Sequence, residues 1–170
     1  MFHDVDSGPA PSPLKRADWM ALLARAPMHM LEHALGAQAE AEVNWLRAPE
    51  IGLLMVQGRA GGTGERFNLG EVTITRCALR LAGIAQADAA VGVAYVLGRS
   101  RRHARLAALA DALLQAPENQ PALDARLLAP VRRHLATQRA QRHARAQGTK
   151  VEFFTVARES GNGNDDEADA

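Results

Sequence analysis

Hydrophobic and polar positions change period several times along this chain, and each change marks an element. Ser12-Pro13 has the form of a helix N-cap followed by proline at the first helical position. Leu14, Ala17, Met20, Leu22 and Leu23 then keep a helical spacing through Arg25. Pro27 restarts a short helix with Met28, Leu31 and Leu35 on one face, closed by Gly36. From Glu42 the period drops to two. Val43, Trp45 and Arg47 alternate with Asn44 and Leu46, Pro49 punctuates, and Ile51 to Val56 forms a second apolar run. A long β-rich run, Phe67 to Leu81, follows, and its apolar register switches near Gly70, which predicts a bulge or twist there. Small residues from Gly83 to Ala90 make a loop before a last strand carrying Val91, Val93, Tyr95 and Leu97. Together these predict an α+β fold: an antiparallel β-meander of about four strands packed against helices, with an N-terminal helical hairpin and C-terminal helices.

Leu106, Leu109, Leu113 and Leu114, with Ala110, mark an amphipathic helix opened by Gly98-Arg-Ser-Arg-Arg-His103. Leu123, Leu127 and Leu128 give another helix, interrupted at Pro130. Val131 to Gln147 keeps helical composition with only Val131 and Leu135 as large apolar residues. Val151-Glu-Phe-Phe-Thr-Val156 returns as a short strand suited to pairing with a sheet edge, of this chain or of a partner. The domain reading is a flexible arm over residues 1–11, one α+β domain over 12–158 and a disordered acidic tail over 159–170.

The stretch Gly58-Arg-Ala-Gly-Gly-Thr-Gly-Glu-Arg-Phe67 lies between two strand patterns, and its glycines reach positive φ without steric cost. It reads as the tip of a β-hairpin with Arg59 on one side and Arg66 on the other. It matches neither the phosphate-loop formula nor the dinucleotide fingerprint. Two readings stand: a tight turn, or an anion-binding nest flanked by guanidinium groups.

Composition changes this picture in a few places only. With 170 residues, 47% hydrophobic and 23% charged, the chain is long enough for a real core. The net charge of +1 hides segregation: Arg126 to Lys150 holds seven basic side chains and no acid, while the last dozen residues are acidic. One cysteine, no signal-peptide pattern and no apolar run of spanning length together imply a cytoplasmic protein away from membranes.

Four local patterns bear on chemistry. His29-Met-Leu-Glu32-His33 has the His-x-x-Glu-His form of a zinc peptidase class, against the plainer reading of an exposed helix surface. Cys77, turned towards leucines, reads as a core residue rather than a nucleophile. Arg76, in mid-strand among apolar neighbours, requires a carboxylate, a carbonyl or a ligand anion. Arg99, Arg101, Arg102 and His103 crowd the positive end of a helix dipole, a solvated basic turn or a grip on phosphate or carboxylate. The basic run over 126–150 offers an alternative function as a nucleic-acid-binding module, though it lacks interleaved aromatics.

Several ordered blocks also carry a family likeness: Gly61-Gly-Thr-Gly-Glu-Arg-Phe67, Gly70-Glu-Val-Thr-Ile-Thr-Arg76, Gly98-Arg99, His103-Ala104, Asp111-Ala-Leu113, Leu123, Leu127, Pro130 and Val151-Glu-Phe-Phe-Thr155. From about Ala17 to Arg158 the chain resembles the G subunit of the bacterial carbon–phosphorus lyase core complex, the phosphonate-metabolism family written PhnG. The longer N-terminal arm, the His29/His33 pair and the acidic tail depart from the family pattern. The resemblance implies a non-catalytic or accessory subunit working with subunits H, I and J. That assembly displaces adenine from ATP with an alkylphosphonate, giving a ribose 1-alkylphosphonate 5-triphosphate. It also implies no cofactor on this chain, ATP as a substrate of the complex, and an iron–sulfur cluster on another subunit. Arg59, Arg66, Arg76, Arg99 and His103 are then the candidates for anion binding at a subunit boundary, with no catalytic residue and no metal ligand assigned.

Overall fold

The computed structural model describes residues 15–81 and 90–149. The Ser12-Pro13 cap, the small-residue loop, the strand expected over 151–156, the N-terminal arm and the acidic tail lie outside the described residues. Contact density divides the chain into two units, Met1–Ala136 and Thr137–Ala170.

In the first unit, helices α1 (Arg16–Leu23) and α2 (Met28–Leu35) precede a 3-10 turn, Gly36–Glu40. Gly36 ends α2 at φ 52°, a conformation that costs glycine little. Three antiparallel strands follow, β1 (Val43–Arg59), β2 (Arg66–Leu81) and β3 (Val91–Leu97), in the order β1-β2-β3. Helix α3 (Arg101–Leu114) lies against one face of this sheet.

Among the described residues the sheet has three strands and not four, because Val43–Arg47 and Ile51–Val56 join into the single strand β1. Proline removes a ladder donor, but β1 is an edge strand with β2 on one side only, so Pro49 is tolerated. Register shifts on both sides of Arg47 absorb the irregularity. The bulge expected near Gly70 is present. Val56 pairs with Gly70 and Gln57 with Asn68, which leaves Leu69 as the extra residue, and Gly70 sits at φ 145°.

Apart from Arg105, every α3 position from Ala104 to Leu114 is buried. A helix that is apolar on nearly all sides must be covered on nearly all sides, and α3 is. The sheet covers one side, while α1 and α2 pack on it elsewhere. Small side chains set the sheet contact. A methyl group on Gly92 would meet the Ala108 carbonyl oxygen at 2.0 Å, and the Cys77 thiol donates to the Ala104 carbonyl at 3.2 Å.

After α3 come a 3-10 turn (Pro117–Asn119), α4 (Gln120–Leu123), a π turn (Asp124–Leu128) and α5 (Ala129–Gly148). Pro130 therefore does not interrupt the helix as its ring chemistry suggests. Proline clashes with the carbonyl four residues back and offers no N–H, and the wider π turn immediately before it accommodates both defects. Leu123, Leu127, Leu128 and Val131 are buried in the core from this region. In the second unit α5 continues to Gly148 with every described residue from Arg139 on exposed.

Candidate functional site

The hairpin tip is built as its glycines require. Arg59 and Arg66 are the last paired residues of β1 and β2 and stand directly opposite each other. Between them Gly61 and Gly62 take φ 57° and 81°, and Gly64 donates its N–H to the Ala60 carbonyl at 2.9 Å. A side chain at Gly64 would meet that same carbonyl oxygen, so glycine is required there for close approach. Arg59 reaches the Gly64 carbonyl at 3.4 Å, and neither arginine makes an ion pair among the described residues. Like charges directly opposite are unfavourable in an isolated ribbon. The two line a shallow depression with Gln57 and Gly58.

Further down the same ribbon, Arg76 has the carboxylate that its position demands. Its Nε lies 2.6 Å from Glu50 Oε1, on the cross-strand partner residue, and Arg47 reaches the same oxygen at 2.5 Å. The hydrogen bond from Arg47, and then that from Arg76, hold the Glu50 carboxyl below its ordinary value.

The basic cluster before and within α3 separates into different roles. Ser100 is the N-cap and accepts from the His103 backbone N–H at 3.1 Å, so α3 begins at Arg101 and Arg99 lies before it, exposed. Arg102 bonds Glu32 at 2.6 Å and Glu40 at 3.1 Å. The His103 ring nitrogen lies 3.0 Å from the Leu23 carbonyl at the end of α1. Arg105 donates to the carbonyls of Ala39 and Ala41. Three of these basic residues thus tie the N-terminal helices to α3.

His29 and His33 lie on the exposed face of α2, and Glu32 between them is held by Arg102. Among the described residues no group of three or more His, Cys, Asp or Glu is placed to hold a metal ion. Cys77 is buried in the core, and burial pushes its thiol up to about 11. On α5, Arg132 pairs with Asp124, and Arg133, Arg139, Arg142 and Arg145 are exposed.

A buried polar centre escaped the sequence reading. Asp111, fully buried on α3, accepts from Trp19 Nε1 at 2.8 Å, from the Val93 N–H at 2.9 Å and from Arg16 at 2.7 and 3.1 Å. Arg16 also donates to the Val91 carbonyl, as does Gln115. The only signal in the sequence is a lone acid inside an alanine–leucine run. Its effect is to fasten α1 along the outer edge of β3.

The largest exposed feature is apolar. Alternation along the paired strands puts Leu54 and Val56 on the sheet face away from α3, with Val72 opposite Leu54 and the buried Ile74 opposite Gly52. Strict alternation would send Phe67 and Leu69 to the other face, but the bulge at Leu69 returns them to this one. Consistent with that, a methyl on Gly58 would meet the Leu69 side chain at 2.9 Å. Tyr95 and Leu97 of β3 extend the same face, which no described helix covers. Exposure is high there: 49% for Leu54, 48% for Phe67, 62% for Leu69 and 72% for Leu97. Ile51, Leu53 and Met55, on the α3 side of the ribbon, are also exposed. A monomeric protein rarely leaves so large a contiguous apolar area open.

No described helix is long and apolar enough to cross a membrane. Comparison with known proteins agrees with the ordered motif blocks. Residues 14–159 match the family model described as phosphonate metabolism protein PhnG. A relative from Rhizobium meliloti (strain 1021), named alpha-D-ribose 1-methylphosphonate 5-triphosphate synthase subunit PhnG, is 38% identical over 145 residues, covering 85% of this chain and 89% of the relative. Motif blocks, the extent of the family match and this relative agree, and the chain belongs to the phosphonate metabolism protein PhnG family.

Proposed function

We propose that this chain is an accessory subunit of a ribose 1-alkylphosphonate 5-triphosphate synthase, in which phosphonate displaces adenine from ATP. The observation that carries the reading is the open apolar face of the sheet and its protruding ribbon, a surface that calls for other proteins. The name of the Rhizobium meliloti relative, a synthase subunit, supports the same class of assembly. Subunits H, I and J of the carbon–phosphorus lyase core are the proposed partners, in the cytoplasm, with ATP and phosphonate as substrates of the whole and any iron–sulfur cluster on another subunit.

An assembly role fits the chemistry of the residues within the fold. The Cys77 thiol is buried and protonated at neutral pH, and the Asp111 carboxylate is occupied by donors from α1 and β3. Arg76 is paired with Glu50, and His103 is engaged by Leu23. Arg59, Arg66 and Arg99 are the candidates left to meet an external anion. The basic helix α5 offers no aromatic platform for a nucleic acid, and nothing in its geometry favours that alternative.

Co-expression of the full chain with subunits H, I and J tests the reading. The expected result is a stoichiometric assembly by size exclusion, with adenine release from ATP and methylphosphonate that is lost when this chain is left out. Full-rate turnover by this chain alone, or an assembly equally active without it, refutes the proposal.

A further inference from the structure

We propose that the free end of the β1–β2 hairpin, 51–59 with 66–72, inserts into a cleft of another subunit that has an apolar wall and carboxylates at its closed end. This rests on the accessory-subunit reading and adds the element, the orientation and the chemistry of the partner surface.

The bulge shapes the ribbon's apolar surface. An extra residue at Leu69 costs ladder hydrogen bonds, and its effect is to place Phe67 and Leu69 beside Leu54, Val56 and Val72 on one face. Ile51, Leu53 and Met55 make the opposite face apolar near the base, so the ribbon is uncovered on both sides. A flat partner would cover one face only; a cleft covers both. Eight residues of strand from Gly52 to Arg59 reach about 25 Å. The six large apolar side chains of both strands (Ile51, Leu53, Leu54, Met55, Phe67 and Leu69), exposed by 42–63%, offer roughly 600–700 Å², close to the ~800 Å² per partner of a standard interface.

Charge selects the occupant. Arg59 and Arg66 face each other at the tip on the side of Ile51, Leu53 and Met55, with Gln57 bonded to Asn68 just below. Neither arginine has an ion pair among the described residues, although Glu65 lies next in sequence. A second copy is a poor occupant. Packed antiparallel, it would carry the arginine tip to the base of the other ribbon, where Glu50 lies on the opposite face and already serves both Arg47 and Arg76. Packed parallel, it would gather four arginines. Carboxylates on a different subunit relieve the repulsion at the tip and fix which end of the cleft receives it.

The experiment measures binding of the full chain to the remaining subunits of the assembly, over a range of salt. Leu69→Asp is expected to weaken binding by about 100-fold or more and Phe67→Ala by about 30-fold. Arg59→Glu/Arg66→Glu should weaken it by about 10- to 100-fold, and Arg59→Ala/Arg66→Ala should flatten its salt dependence. These side chains are exposed, so thermal unfolding of the free variants should match the parent. Hydrogen exchange supplies a readout without substitution: ribbon amides should become protected on assembly. Unchanged affinity for both Leu69→Asp and the charge reversal overturns the proposal. So does self-association of the parent that Leu69→Asp abolishes. Inorganic pyrophosphate binding at the tip, with assembly indifferent to the charge reversal, overturns the acidic end of the cleft. A parent that binds none of the other subunits defeats the accessory-subunit reading itself, a result distinct from ribbon variants that bind normally.

Discussion

Replacing Asp111 with alanine tests how much of this fold depends on one buried carboxylate. The substitution strips an acceptor from Trp19, Val93 and Arg16, donors of unequal worth, and from a longer contact with Gln115 at 3.5 Å. The Trp19 indole N–H and the Val93 amide lie in or beside the core, and each orphaned donor costs about 1–3 kcal/mol. Arg16, whose side chain is 44% exposed, returns to water, so its ion pair counts as a surface one at ~1 kcal/mol or less. The expected loss is about 3–5 kcal/mol, most of it from the two orphaned donors. For a chain of this length that is a fall in Tm of about 10–15 °C. Urea unfolding followed by Trp19 fluorescence, in a Trp45→Phe background, gives the number. Asp111→Asn keeps one acceptor and should fall in between. A double-mutant cycle with Arg16→Ala should show coupling below about 1 kcal/mol, because indole and amide carry most of the effect. A loss under about 1 kcal/mol for Asp111→Ala would refute the reasoning, since the two buried donors would then have found other partners at little cost.

Gly92→Ala should be among the most damaging single-methyl changes. The added carbon meets the Ala108 carbonyl oxygen at 2.0 Å and Ala112 Cβ at 2.9 Å, so β3 must lift from α3, at about 3 kcal/mol or more in a urea titration. Cys77 makes a pH-dependent contribution of definite sign. Its folded value, about 11, is raised from the ordinary value near 9, so the stabilisation is complete below about 9 and declines as pH rises towards 11. Unfolding midpoints at pH 8 and 10.5 should diverge more for the parent than for Cys77→Ala, and the native thiol should resist disulfide reagents at pH 8. For Glu50, a carbon-13 NMR titration should find the carboxyl depressed. Arg47→Ala should restore it further than Arg76→Ala, because the Arg47 hydrogen bond is the larger cause.

Local chemistry made part of this fold legible. Gly36 as a helix stop, the glycine tip between Arg59 and Arg66, the bulge at Gly70, the carboxylate owed to Arg76 and the buried Cys77 each follow from neighbours within a few residues or from the cost of an unpaired charge. Two prolines misled for one reason. Pro49 and Pro130 break regular elements in the interior, but Pro49 stands on an edge strand and Pro130 follows a π turn, and neither context is written nearby. Long-range pairing was the other blind spot. Arg102 looks like one of several loose cations until Glu32 and Glu40, more than sixty residues earlier, come alongside it. Asp111 looks like a break in an apolar stripe until Arg16, Trp19 and Val93 converge on it from α1 and β3.

The uncovered ribbon also bears on how the chain survives before assembly. Its strands leave backbone donors and acceptors open at the margins and greasy side chains on both surfaces, features that recruit chaperones and invite sticking between nascent molecules. An orphan copy is therefore a liability, and synthesis in step with its binding partners becomes as much a requirement of the molecule as its core.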